Sequence, residues 1–132
     1  MYKKCYKVLV YSFFLSALIF SNILIARERI LEYKSNIQVG VDGTLEIMEE
    51  ITVFSEGHQI KRGIFRDFPT RYKDKYGNTV NAGFQIQEVL RNNYPEPYMI
   101  QNISNGKKIR VGDKNIFIPS GKHTYTLKYT TN

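Results

Sequence analysis

The sequence has one cysteine and two histidines among its 132 residues, and both shortages restrict its chemistry. Cys5 lies near the N-terminus, so the chain beyond it has neither an internal disulfide nor a thiolate metal ligand. The two histidines and the scattered carboxylates show no spacing that is typical of metal ligands. The sequence therefore predicts no metal site and no cofactor.

Motifs of common enzyme classes are also missing. No glycine-rich phosphate-binding loop follows a predicted strand and opens a helix, and no Gly-x-Ser-x-Gly segment marks a serine nucleophile. His123 shares its phase with apolar residues of a predicted strand, which favours a packed, hydrogen-bonded side chain over a catalytic one. We therefore predict that the protein is not an enzyme. The alternative is a hydrolase acting on envelope material, in which Asp67, His58 or His123 takes part.

Residues 8–26 form a long apolar run without a charged residue, and three lysines precede it. This pattern is typical of a secretory signal peptide or an uncleaved membrane anchor. The run is close to bilayer-spanning length, whereas Ala26 offers a small residue at a cleavage point, so both options stay open. We predict a hydrophobic signal or anchor helix in residues 1–26 and an exported domain in residues 27–132.

No segment after Arg29 shows a sustained helical period, and short alternating runs separated by turns take its place. Residues 30–41 and 44–54 predict a β-hairpin with one buried and one solvated face. Further strands are predicted at residues 59–65, 83–91, 98–104, 107–111, 116–118 and 123–130. In the second of these, Phe84, Ile86 and Leu90 are expected to share a face. The pattern indicates an all-β fold, an antiparallel β-sandwich that is Ig-like or jelly-roll-like.

Positive charge is concentrated in one segment of the predicted domain. Residues 27–132 contain sixteen lysines and arginines against twelve acidic residues, and residues 61–76 account for this whole excess of +4. The excess is too small for a strong nucleic-acid surface. The predicted hairpin is acidic, and its glutamates are expected on solvated strand faces, namely Glu46, Glu49, Glu50 and Glu56.

Residues 61–72 combine glycine, proline, three arginines and three aromatic residues, and two interpretations stay open. In the first, arginine forks and aromatic faces bind a carboxylate or phosphate partner. The candidate binding residues are then Arg62, Phe65, Arg66, Asp67, Arg71 and Tyr72. In the second, the aromatic residues close one end of the sandwich, and Arg66 pairs with Asp67 or with the acidic hairpin.

The order of the motifs resembles one protein family. The segment Arg62-Gly63-Ile64-Phe65-Arg66-Asp67-Phe68-Pro69 and the late pattern Gly121-x-His123-x-Tyr125 are its most specific parts. They are similar to the N-terminal extracytoplasmic domain of the DUF2207 family of predicted bacterial membrane proteins, over residues 28–130. The resemblance implies a signal sequence, a β-rich exported domain and, in longer relatives, transmembrane helices, so this chain is expected to be truncated. The family has no known function and supplies no site residues.

These observations predict a non-catalytic binding or interaction module at the outer face of the cytoplasmic membrane, secreted if the signal is cleaved. Its expected partners are the membrane, through residues 1–26, and a protein or an anionic envelope molecule. A purely structural ectodomain of a larger membrane protein is a further alternative.

Overall fold

The computed structural model describes residues 27–132, and the predicted signal or anchor lies outside the described residues. Residues 27–132 form strands, turns and connecting segments, without a helix of the length and hydrophobicity that would span a bilayer. Every strand pair is antiparallel. The prediction of an all-β antiparallel fold is therefore confirmed.

Ten strands follow one another along the described chain. They are β1 (Arg29–Val39), β2 (Leu45–Ser55), β3 (Ile64–Pro69), β4 (Arg71–Lys73), β5 (Thr79–Asn81), β6 (Phe84–Arg91), β7 (Tyr94–Pro95), β8 (Tyr98–Ile103), β9 (Gly106–Val111) and β10 (Gly121–Thr131). They form a five-stranded sheet in the order β1-β2-β10-β6-β7, a three-stranded sheet in the order β3-β9-β8 and a small sheet of β4 and β5. The predicted first hairpin is present as β1 and β2, and Val39 pairs with Leu45 at its turn.

One hydrophobic core includes residues from both larger sheets. The five-stranded sheet contributes alternate residues of β2 and β10, and the three-stranded sheet contributes Phe68, Ile109 and Val111. The Phe68 ring lies 4.6 Å from the Phe84 ring and 4.8 Å from the Tyr129 ring, measured between centroids. These contacts join the two sheets through three aromatic side chains. The predicted inward phase of β10 is confirmed, because its alternate residues from His123 to Tyr129 are all buried.

Strand β1 differs from its prediction, because all eleven of its residues are exposed. Its apolar phase does face the same side as the buried phase of β2, since Tyr33 pairs with Ile51 and Ile37 with Ile47. However, β1 is the outermost strand of its sheet and contributes no residue to the core cluster. Alternation along a strand defines two faces, but coverage by another sheet decides whether either face is buried.

Strand β6 changes its inward phase at a β-bulge. Lys128 pairs with Glu88 but the next residue, Tyr129, pairs with Ile86, so Gln87 is left without a partner. An inserted residue reverses the faces of the residues beyond it. The buried residue is consequently Val89, at 5% exposure, and the prediction that Leu90 shares the face of Phe84 was wrong.

Two further predicted strands were misplaced. Residues 116–118 are irregular, although Ile118 is buried and its N–H donates to the Lys61 carbonyl at 2.9 Å. The strand predicted at residues 59–65 begins later, at Ile64. The carboxylate of Glu28 binds backbone N–H groups of residues 56–60, which holds that segment as a loop. The predicted loop at residues 92–97 contains the short strand β7, which follows a tight turn.

Candidate functional site

Arg66 of β3 points towards β2 and β1. Its Nε donates to Glu49 Oε2 at 2.9 Å and its Nη2 to Glu49 Oε1 at 2.8 Å, which forms a bidentate ion pair. Nη1 donates to the Asp67 carbonyl at 3.0 Å, and Nη2 also donates to the Tyr33 hydroxyl at 3.2 Å. All three guanidinium nitrogens therefore have acceptors within the chain, as the second interpretation of residues 61–72 predicted for Arg66.

Glu49 is only 3% exposed, so its predicted place on a solvated face was wrong. It lies in the buried phase of β2 between Ile47 and Ile51, where the Tyr129 hydroxyl donates to its Oε1 at 2.9 Å. Burial raises the pKa of Glu49, but the hydrogen bonds and charge of its partners outweigh burial and lower it below the ordinary value. Burial and the bond to Glu49 raise the pKa of Tyr129. Glu49 is thus a buried carboxylate held ionised by Arg66.

Asp67, Arg71 and Tyr72 lie apart from this pair. Asp67 Oδ2 is 3.6 Å from Lys108 Nζ across β3 and β9, in a solvent-exposed ion pair. Arg71 and Tyr72 belong to the exposed strand β4, and the Tyr72 hydroxyl donates to the Pro69 carbonyl. The structure therefore does not gather all the predicted binding residues into one site.

Arg62 and Phe65 do line a common pocket of about 230 Å³. Four basic residues surround it, here called the basic pocket: Lys61, Arg62, Arg110 and Lys114. No acidic residue lines it, and none of the four forms an ion pair within residues 27–132. The Arg62 guanidinium lies 4.2 Å from the centre of the Phe117 ring, and Arg110 Nε is buried without a hydrogen-bond partner among the described residues. The basic pocket therefore has positive charge and a donor that the described chain does not use.

Two glycines bring the halves of the basic pocket together. Gly63 has a φ of 114° and Gly112 a φ of 118°, values that residues with a side chain rarely adopt. A Cβ on Gly63 would lie 1.8 Å from the Val111 carbonyl oxygen, and one on Gly112 would lie 2.1 Å from the Arg62 carbonyl oxygen. The backbone before β3 can therefore touch the backbone after β9 only through glycines, and this contact places Arg62 beside Arg110.

An apolar groove of about 540 Å³ lies between β1 and β3. Its walls include Ile30 and Tyr33 of β1 and Ile64, Phe65 and Arg66 of β3. Both strands are the outermost strands of their sheets, so each has an edge that no described strand pairs with. The groove therefore combines exposed apolar side chains with two free strand edges.

Glu28 anchors the loop at residues 56–60 to the start of β1. Its carboxylate accepts four backbone N–H bonds, from Glu56 at 2.9 Å, His58 at 3.0 Å, Ile60 at 3.1 Å and Gln59. Desolvation raises the pKa of Glu28, but the hydrogen bonds from the four N–H groups outweigh it, and the net effect lowers the pKa to about 2. No sequence motif pointed to this role, because the contacts join residues about thirty positions apart.

The three residues named for a hydrolase are not joined to one another in the described chain. His123 is buried, with Nε2 2.7 Å from the Pro119 carbonyl and Nδ1 3.4 Å from the Asn92 side chain. His58 lies in the loop that Glu28 holds, and Asp67 pairs with Lys108. Residues 27–132 also contain no group of three histidine, cysteine or acidic side chains that could hold a metal ion.

Comparison with known proteins identifies relatives of this chain. The model of a family described as predicted membrane protein (DUF2207), N-terminal domain, matches residues 29–132. The uncharacterized protein YciQ of Escherichia coli (strain K12) is 34% identical over 88 residues, which are 67% of this chain and 14% of that protein. The matched region is thus about a seventh of the relative's length. No solved structure matches the chain.

Proposed function

We propose that this chain, which belongs to the DUF2207 family of predicted membrane proteins, carries a non-catalytic interaction module at the outer face of the cytoplasmic membrane. The lysines and the apolar run of residues 1–26 support export, with residues 27–132 outside the membrane. The core that both larger sheets share supports a β-sandwich. The Ig-like or jelly-roll-like type stays a prediction.

The observation that carries this proposal is the apolar groove between β1 and β3. Ile30, Tyr33 and Phe65 in its walls are 63%, 48% and 66% exposed. Soluble domains rarely leave a large apolar surface uncovered, and they usually protect a long edge strand. An uncovered groove beside a free edge therefore favours an interaction surface.

The partner that fits this groove is an extended polypeptide segment. Such a segment adds hydrogen bonds to a free strand edge and places every second side chain against the sheet face. Strand β1 supplies an edge of eleven residues, and Phe65 and Ile30 supply apolar contacts on opposite walls. In this arrangement Arg66 shapes the groove wall, since its nitrogens are already bonded to Glu49, Tyr33 and Asp67.

Site-specific photocrosslinking tests the proposal in cells of the chain's own host. A benzophenone amino acid replaces Phe65 in the groove or, as a matched control, Tyr76 in the exposed turn before β5. We expect a discrete polypeptide adduct at position 65 and none at position 76. Adding Ile30→Asp, which puts a charge on the opposite wall, should remove the adduct while circular dichroism of the variant is unchanged. Equal adducts at both positions, or none at position 65, would contradict the proposal.

A further inference from the structure

We infer that the basic pocket binds a phosphate oxyanion, and that this phosphate belongs to the head group of an anionic lipid. The inference rests on the membrane location in the proposed function, but it concerns the basic pocket, which adjoins the apolar groove and shares Gln59, Gly63 and Phe65 with it. Nothing in the family description assigns a ligand.

The charge of the basic pocket calls for an anion. Four cationic side chains surround about 230 Å³, and no carboxylate of residues 27–132 lines the pocket. Like charges gathered around one pocket repel one another, and a bound anion offsets that repulsion. Other arginines of the domain show the usual solution, since Arg66 pairs with Glu49 and Arg91 with Glu96.

The donors of the basic pocket are already positioned. The Phe117 ring supports the Arg62 guanidinium, and the contact of Gly63 with Gly112 holds the two backbone segments together. Arg110 Nε is buried and unbonded among the described residues, which is costly unless a ligand or a water molecule accepts its hydrogen bond. Arginine forks match the geometry of phosphate oxygens.

An apolar border favours a lipid over a free phosphate ion. On β3 and β8, Phe65 and Met99 are the strand neighbours of Arg110 on either side, and they are 66% and 39% exposed. A free phosphate ion makes no apolar contacts with such neighbours, whereas a lipid presents its phosphate directly beside apolar chains. The combination of buried donor and exposed apolar flank therefore fits a head group at the membrane surface.

The position of the pocket in the chain agrees with this ligand. Glu28, two residues beyond the apolar N-terminal segment, binds the backbone of Gln59, and Gln59 also lines the basic pocket. The pocket therefore lies next to residues 27 and 28, where the described part of the chain begins. If residues 1–26 insert into the bilayer, the four cations lie at head-group level, where they are attracted to anionic lipid.

Lysine footprinting of the full chain in lipid nanodiscs tests the inference. Three samples are compared: phosphatidylcholine discs, discs that also contain phosphatidylglycerol, and phosphatidylcholine discs with added inorganic phosphate. Acetylation of Lys61 and Lys114 is followed by mass spectrometry, with Lys75 in the exposed turn after β4 as the internal reference. We expect several-fold slower acetylation of Lys61 and Lys114 in phosphatidylglycerol discs alone, and an unchanged rate at Lys75.

Variants separate binding from folding. Arg62→Gln should weaken phosphatidylglycerol binding by roughly tenfold, the effect of losing one charge-assisted hydrogen bond, and so remove most of the protection of Lys61 and Lys114. Arg71→Gln, an exposed arginine outside the pocket, should leave the protection unchanged, and thermal unfolding should show both variants folded. Ile30→Asp, which tests the groove, should also leave the protection unchanged, because Ile30 lines the groove and not the basic pocket. The two proposals can therefore fail independently.

The contrary outcomes are distinct. Equal protection by inorganic phosphate in phosphatidylcholine discs would overturn the lipid assignment. Protection of Lys75 to the same degree would show a general surface effect and overturn the site. The absence of protection in every sample would also overturn the site.

Discussion

At the scale of single residues, Arg66 has a structural role within the domain. Its guanidinium forms an ion pair with the carboxylate of Glu49, which is 3% exposed and also accepts a hydrogen bond from the Tyr129 hydroxyl. The lowered pKa of Glu49 means that the pair stabilises the fold above the ordinary carboxyl pKa of 4.5. This stabilisation is lost as the pH falls through the lower pKa of the folded state.

Removing Arg66 should therefore destabilise the protein strongly. Arg66→Ala leaves a buried charge without its partner, and we expect a loss of roughly 2–4 kcal/mol at neutral pH, reduced from the cost in a fully buried pair by the partial exposure of Arg66. Urea unfolding followed by circular dichroism measures the loss. Lys108→Ala, which breaks the exposed pair with Asp67, should cost less than about 1 kcal/mol.

A double substitution provides the decisive control. Arg66→Met with Glu49→Gln removes both charges together, keeps an oxygen that accepts from Tyr129, and should recover part of the lost stability, because no unpaired buried charge remains. If Arg66→Ala is no worse than Lys108→Ala, the pair has no structural role of the kind described.

At the scale of elements, the connections into β3 and out of β9 determine the basic pocket. Strand bounds alone do not bring Arg62 to Arg110, since they are 48 positions apart in the sequence. The close contact of Gly63 with Gly112 does so, and both glycines have φ values that disfavour any side chain. The glycine of the Arg62–Pro69 motif is thus explained by backbone approach.

Gly63→Ala should be far more harmful than the same substitution at a glycine that lies in open space. The new methyl group meets a backbone oxygen at 1.8 Å, and we expect a loss of more than about 3 kcal/mol from steric overlap and strain together. Gly77→Ala is the matched control, because Gly77 also has a positive φ of 85° but no atom of residues 27–132 lies within 4 Å of the new methyl position. The control should cost about 1–2 kcal/mol. Thermal unfolding compares the two, and equal costs would refute the close-contact explanation.

At the scale of the whole molecule, the two larger sheets depend on a small shared core. Phe68 is the aromatic residue that the three-stranded sheet contributes to the cluster with Phe84 and Tyr129. A domain of this size has a small free energy of unfolding, because small domains bury a limited fraction of their surface. The junction between sheets is therefore the place where a single truncation affects the entire fold.

Phe68→Ala should cost roughly 3–5 kcal/mol, the usual loss for a buried phenylalanine. Phe65→Ala on the same strand removes the same ring from a side chain that is 66% exposed, and it should cost less than about 1 kcal/mol. Denaturant unfolding of both variants gives the comparison. Similar losses would mean that Phe68 does not join the sheets in solution.

The sequence alone determined several features, because they are local or depend on composition. Alternation and the Asp42-Gly43 turn predicted the first hairpin, and the inward phase of β10 was correct from His123 to Tyr129. The family followed from its motifs. The charge count showed that residues 61–76 carry the whole positive excess of the domain.

Only the tertiary structure decided which faces are covered and which distant groups meet. Alternation could not show that β1 stays uncovered, that a bulge at Gln87 reverses β6, or that Arg66 pairs with the glutamate in the apolar phase of β2. Likewise, the sequence left open whether the arginines of residues 61–72 bind a partner or support the fold. Packing directs Arg66 inward to Glu49 and leaves Arg62 in a pocket, because contacts between strands far apart in sequence determine what each side chain can reach.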